Sequence, residues 1–315
     1  LFISLGAVSG LLGLLQIAGT PGGPLYFYRI TNSDSAVGLF ANRNHAATLL
    51  ASLFPMLAVF ASAGAGRHEV SQSRLLIAAA IALVLIPLIL VTGSRAGLVL
   101  AVIGLVGASL LYRQPVRKQD FGSKTRKLKW LTLPRLAVVA VLCLAILTVY
   151  FSRAEALDRL FGQSMGADSR SIFWAESLNL FYKYFPLGSG AGAFGSAYQI
   201  IEKDHMLTSF YLNRAHNDWV ELAVTFGILT ILFIGFAGIQ FLRGTIRLWF
   251  SANKKRRSVI FGRMAGIIIA MLGAASIADY PIRTPTMMCL FGVAILWFNA
   301  AMKTESSGAR TETSM

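Results

Sequence analysis

Two uninterrupted apolar runs, LLIAAAIALVLIPLILV (75–91) and LAVVAVLCLAILTVYF (136–151), constrain this chain more than any other feature. A helix needs about 20 mainly apolar residues to cross the hydrocarbon core of a bilayer. Inside lipid every backbone N–H and C=O must find a partner within the chain, so the spanning forms are α-helices or a closed barrel. Stretches 1–17, 44–64, 74–92, 95–112, 131–151, 217–242, 258–279 and 285–302 all meet or approach the helical length. Only 14% of the 315 residues are charged, against about 25% in a soluble domain. The expected fold is all-α, a polytopic transmembrane bundle of about eight visible spans. The chain opens at Leu1 inside an apolar run, with no basic leader and no small-residue cleavage site. It reads as a piece of a longer membrane protein with spans upstream, and not as a signal peptide.

Orientation follows from the basic residues, because cytoplasmic connections collect Lys and Arg. The connections around 67–74, 113–135, 243–263 and 303–310 hold nineteen of the 29 Lys and Arg against four acids. The alternate connections hold ten of each, so the whole formal charge of +15 lies on one side. That side is expected to be cytoplasmic. The basic run KKRR (254–257) then needs no nucleic acid; topology and attraction to anionic lipid heads explain it. Cys143 and Cys289 each sit in an apolar run, are expected to be buried small hydrophobes, and have no zinc-ligand spacing.

The opposite side carries a stretch of about 65 residues, 152–216, too long for a plain connector. Its richness in Phe, Tyr and Trp predicts a structured loop. SRSIFWAESLNLFYKYF (169–185) is expected as an amphipathic surface helix, capped by Asp168 or Ser169 and ended by Pro186-Leu187-Gly188. The organisation expected is one membrane domain: N-terminal spans in 1–151, an external loop in 152–216 and C-terminal spans in 217–315.

Four external features occur in order: GLFANRNHAATLLA (38–51), TGSRAG (92–97), DSRSIFW (168–174) with PLGSGAGAF (186–194), and RAHNDWVELAVTFGILT (214–230). Together they resemble the O-antigen ligase family, the Wzy-C class of lipid-linked glycan ligases and polymerases. The resemblance implies a GT-C-like membrane fold in the bacterial inner membrane, with a large periplasmic loop and the active side periplasmic. It also implies a metal-independent, inverting glycosyltransferase without a cofactor. The donor would be a glycan on undecaprenyl diphosphate, and the acceptor a hydroxyl of the lipid A core or of a growing glycan.

That chemistry suits the residues. Without a metal, a cation must hold the diphosphate and stabilise the charge on the leaving oxygen. Arginine does this through a planar fork that binds phosphate bidentately and stays charged. Arg95 is the most informative, because the orientation rule disfavours an Arg on that side and lipid burial costs up to ~2.5–3.5 kcal/mol. Its bland alternative is a helix-end Arg snorkelling to water. Arg95 and Arg170 are expected in catalysis, with Arg214, Asn217, Arg283, Trp174 and Asn42 binding diphosphate or glycan. His216 is expected to take the acceptor proton, or else to bind diphosphate beside the arginines; a capping His is the bland alternative. On a helix running through 216, Glu221 would lie about 140° away from it, so no dyad is expected between them. Asp218 is a weaker alternative base. His45 is a candidate for orienting a neighbouring helix. The Gly run 188–195 is expected as a tight turn and not a phosphate loop, since it lacks strand and helix context. The Asp279-Tyr280-Pro281 hairpin with Arg283 is a further candidate for the cleft. The central expectation is that positions 95, 170 and 216 converge around the diphosphate.

Two other readings compete. A polymerase of the same family uses the same donor to join repeat units, and a protein O-oligosaccharyltransferase is a lesser variant. A transporter belongs to a different class and would place ionisable groups deep within spans; here the polar groups gather at one membrane face.

Overall fold

In the computed structural model, residues 1–63, 68–113, 165–202, 214–251 and 256–313 are described. They are α-helical, with one short 3-10 turn and no strand. Among the described residues five helices are long and apolar enough to cross a membrane: Arg43–Ser62, Gln72–Val91, Ile228–Trp249, Arg257–Ala278 and Pro285–Glu305. Two apolar helices, Phe2–Ala18 and Arg95–Leu111, are shorter, at 17 residues each. The span expected at 131–151 lies outside the described residues, and with it Cys143. The helices fall into two compact units, Leu1–Phe161 and Gly162–Met315.

The first unit is built around α2 (Arg43–Ser62), which is buried along nearly its whole length by α1 (Phe2–Ala18), α3 (His68–Val91) and α4 (Arg95–Leu111). Lipid tails are as apolar as leucine, so such helices associate by close packing, and small residues allow it. A Cβ on Gly6 would run into Leu53, and one on Gly97 into Ala47. Pro87 is accommodated inside α3. The turn between α3 and α4 is as tight as expected, with Gly93 in the left-handed region (φ 62°). Residues 19–42 are fastened to α1 by buried Gln16, whose amide donates to Leu25 and Gly38 carbonyls and accepts from the Val37 and Gly38 N–H groups.

The second unit contains α5 (Met165–Tyr184), α6 (Phe194–Gln199), α7 (Asp218–Phe226), α8 (Ile228–Trp249), α9 (Arg257–Ala278), a 3-10 turn at Pro281–Arg283 and α10 (Pro285–Thr313). Three sequence expectations change here. The stretch 217–242 is not one helix: it breaks at Gly227 (φ 55°) into α7 and α8. Helix α5 begins at Met165, so Asp168 and Ser169 lie inside it and not at its cap. Over 174–184 it buries Glu176, Ser177 and Leu180, while Leu178 and Tyr182 are exposed. Cys289 is exposed on α10, not buried.

The break at Gly227 leaves the last carbonyls of α7 without helical donors. They are taken locally. The N–H groups of Ser189 and Gly190 donate to the Val224 and Thr225 carbonyls at 2.8 and 3.0 Å, and Thr230 Oγ1 adds a bond to Leu222 O, a turn further back, at 2.6 Å. Ile228 N–H in turn donates to Pro186 O at 2.8 Å. The PLGSG turn therefore docks backbone to backbone on the α7–α8 junction. No side chain fits there: a Cβ on Gly227 would collide with Pro186 O, and one on Gly188 would lie 2.5 Å from Thr225 O. Leu180, Phe194, Tyr198, Ala215 and Val224 form the apolar core that joins α5, α6 and α7.

Candidate functional site

The entry to α7 is shaped by its cap. Asn217 adopts an extended conformation, and its side-chain oxygen accepts from the N–H groups of Trp219 (3.0 Å) and Val220 (3.1 Å). Helix α7 therefore starts at Asp218, and His216 lies outside it. His216 has φ 49°, the one positive φ at a non-glycine residue among the described residues. Such a conformation costs a residue with a Cβ about 1–3 kcal/mol and persists only where its surroundings enforce it.

Those surroundings are polar. His216 Nδ1 lies 3.2 Å from Asp279 Oδ1, at the end of α9, and its ring packs against Tyr280 at 5.1 Å between centroids. The His216 side chain is 31% exposed, whereas Asp279 is 3% exposed. Asp279 Oδ1 also accepts from Tyr280 N–H at 3.0 Å. Beside this pair, Glu221 Oε1 accepts from Arg214 Nη1 at 2.9 Å and Arg283 Nη2 at 3.0 Å. Its second oxygen accepts from the Ala215 N–H at 3.1 Å. Arg283 Nε donates to Asp218 Oδ1 at 3.2 Å, and Ser276 Oγ donates to Asp218 Oδ2 at 3.0 Å. Trp219 Nε1 donates to Gly273 O at 2.9 Å, tying α7 to α9.

Burial raises the Asp218 carboxyl above its ordinary range; the Ser276 bond and the Arg283 guanidinium oppose that rise, and Glu221 adds to it. The Tyr280 phenol is also raised, chiefly by burial and then by Asp279. With Asp279 ionised, its bond to His216 places a proton on Nδ1 and leaves the Nε2 lone pair for another partner.

The structure thus brings together Arg214, His216, Asn217 and Arg283. Asn217 serves as a helix cap. Arg283 turns its Nε–Nη2 edge toward Asp218 and Glu221. Arg214 is the more exposed guanidinium, at 38%. Asp218 is buried against Arg283 and Ser276, which does not suit it as a base. Three relationships escaped the sequence reading: the pairing of Asp279, expected only as part of a hairpin lining the cleft, with His216 63 residues away, the Ser276 bond to Asp218, and Glu221 as a bridge between arginines. Trp174 lies half-buried on α5, with Nε1 buried and without a hydrogen-bond partner. Arg170 is on α5, with its side chain outside the described set.

In the first unit, Arg95 is exposed at the first residue of α4. Ser94 caps that helix by accepting from Gly97 N–H at 2.9 Å, and donates to Asn44 Oδ1 at 2.8 Å. Asn42 caps α2 by accepting from Asn44 N–H at 2.8 Å. His45 is buried, with its ring 6.3 Å from Phe40. In the Gly run, the N–H groups of Gly188, Ser189 and Gly190 are taken by protein carbonyls. That agrees with a turn and not a phosphate cradle. Among the described residues no group of three His, Cys, Asp or Glu side chains is placed to hold a metal.

Residues 79–235 match the family described as O-antigen ligase. The match spans Arg95, Arg170, Trp174, Arg214, His216 and Asn217 and stops short of Asp279 and Arg283. No curated protein matches the chain.

Proposed function

We propose, for a chain whose residues 79–235 belong to the O-antigen ligase family, that it moves a glycan from undecaprenyl diphosphate to an acceptor hydroxyl at the periplasmic face of the bacterial inner membrane. The acceptor is a sugar of the lipid A core. The observation that carries this reading is the His216–Asp279 pair beside the Arg214–Glu221–Arg283 network. Asp279 fixes the imidazole so that Nε2 faces away from the carboxylate. The acceptor oxygen attacks the anomeric carbon as its proton passes to Nε2, and the bond from that carbon to the diphosphate oxygen breaks with inversion.

Charge decides how the leaving group is held. The network in the second unit sets three carboxylates against two guanidiniums, so it lacks the positive excess that a diphosphate demands. Further cations are required, and the roles proposed for Arg95 and Arg170 are those the family resemblance implies: binding diphosphate and stabilising the departing oxygen without a metal. Arg214, the more exposed guanidinium of the network, contacts the diphosphate or the first sugar, and Trp174 borders the glycan path.

A polymerase of the same family remains the second reading, because the donor chemistry is identical. Purified protein given a polyprenyl-diphosphate-linked glycan and lipid A core separates the two. A glycan-bearing lipid A core supports ligation, and a lengthened glycan on the carrier supports polymerisation. Flux of intact donor across the bilayer without a new glycosidic bond contradicts both.

A further inference from the structure

We infer that Glu221 is a positioning residue, which sets Arg214 and the His216 turn in the geometry that transfer requires. The inference rests on the glycan-transfer reading and adds a residue to which that reading gives no role. Its basis is the number of groups that one buried carboxylate organises. Oε1 receives Arg214 Nη1 and Arg283 Nη2, and Oε2 receives the Ala215 N–H. The side chain is 2% exposed, so water does not supply substitutes for these bonds.

The three donors lie at informative places. Ala215 is fully buried and immediately precedes His216, the residue with φ 49°. A left-handed residue flanked by an unrestrained turn relaxes toward the ordinary regions. Here the turn is held on both sides, by Glu221 on the Ala215 N–H and by Asn217 as the α7 cap. Arg283 is fixed twice more, through Nε on Asp218 and through its place in the 3-10 turn, and so acts as a strut. Among the described residues Arg214 makes one side-chain hydrogen bond, to Glu221, and its side chain is 38% exposed. Glu221 thus fixes one end of that guanidinium and leaves the other face open to a substrate. A carboxylate that touches no substrate therefore determines where an imidazole and a guanidinium stand.

The test is steady-state transfer by the purified full chain in nanodiscs, using a polyprenyl-diphosphate-linked glycan as donor and lipid A core as acceptor. Glu221→Gln, nearly isosteric, is expected to lower kcat/KM by about 30- to 100-fold, as a displacement on the order of 1 Å does. Its melting temperature is expected to fall, since a buried charge partner is lost, while the protein stays folded at the assay temperature. In an Arg214→Ala background the same change should cost clearly less than it does in the parent, because the part that acts through Arg214 is already lost and only the part that acts through the His216 turn remains. Glu221→Asp keeps the charge but shortens the reach; it should remain folded and lose transfer. Wild-type rates for Glu221→Gln or Glu221→Asp overturn the inference. So does full multiplication of the Glu221→Gln and Arg214→Ala effects, or failure of both variants to accumulate as folded protein, which would assign Glu221 to folding alone. His216→Ala and Arg214→Ala mark the other failure. If both transfer normally, the glycan-transfer reading falls and takes this role with it; if both are impaired while Glu221→Gln is not, only the positioning role falls.

Discussion

His216 Nδ1 and Asp279 Oδ1 stand 3.2 Å apart, although 63 residues separate them in the chain. The contact joins the entry of α7 to the end of α9, and it selects which imidazole nitrogen remains basic. Asp279→Asn keeps the volume and removes the charge. It is expected to lower the transfer rate by about 100-fold, the range of a general base that loses its orientation. His216→Ala should lose at least as much, and the double variant little more than His216→Ala alone. Rates measured on folded, purified variants check this; independent, multiplying effects would separate the two residues.

Arg95 offers a test of how the diphosphate is held. Arg95→Ala and Arg170→Ala are expected to accumulate normally in membranes and to abolish transfer in cells. Arg95→Lys preserves the charge but not the bidentate fork, and should lose more than about tenfold. Transfer should persist in EDTA. Lipopolysaccharide gels beside membrane immunoblots read both quantities, and a strict divalent-metal requirement would contradict the arginine chemistry.

Much of the fold is legible in the apolar runs, because lipid imposes length and composition on any helix that crosses it. The helices at Arg43–Ser62, Gln72–Val91, Arg257–Ala278 and Pro285–Glu305 fall close to their expected places. The break at Gly227 was hidden, since hydrophobicity continues across it. Its signals were local: a glycine in the left-handed region, followed three residues later by Thr230, whose hydroxyl reaches back across the break to the Leu222 carbonyl. That break also governs how the site is read. Wheel geometry applied to a helix through His216 measures Glu221 against the wrong frame, because α7 begins at Asp218. Glu221 indeed does not pair with His216, but its partners are Arg214 and Arg283. The Asp279 hairpin was legible as a candidate for the cleft, but its pairing with His216 was not, because a contact over 63 residues leaves no periodic trace in one sequence.

The backbone clamp at the α7–α8 junction gives a stability test. Gly227→Ala puts a Cβ against Pro186 O at a residue with φ 55°. It should destabilise the protein by about 2–4 kcal/mol, through steric conflict and a left-handed conformation that alanine resists. Gly190 is also left-handed (φ 97°), but a Cβ there meets nothing within 4 Å. Gly190→Ala should therefore cost less. Thermal melting of the two variants in the same detergent compares them.

Tyr198 gives a test in alkali. It is fully buried, and its phenol is pushed up to about 12, first by burial and then by Glu202 and Glu176. Between pH 10.0 and about 12 the unfolded chain has released this proton while the folded chain retains it. Stability should therefore be unaffected by this group below pH 10, fall across that window by about 3 kcal/mol, and level off above it. Chemical denaturation at a series of alkaline pH values should show the fall, and Tyr198→Phe should flatten it.

The most direct measurement is the single-turnover rate at which His216→Ala, reconstituted in nanodiscs, transfers a labelled glycan from undecaprenyl diphosphate to lipid A core, compared with the unsubstituted chain. The unsubstituted protein should convert donor to glycan-bearing lipid A core, and His216→Ala should retain its fold and bind donor while forming product at least about 100-fold more slowly. Equal rates for the two proteins would contradict a reaction that depends on the imidazole held by Asp279.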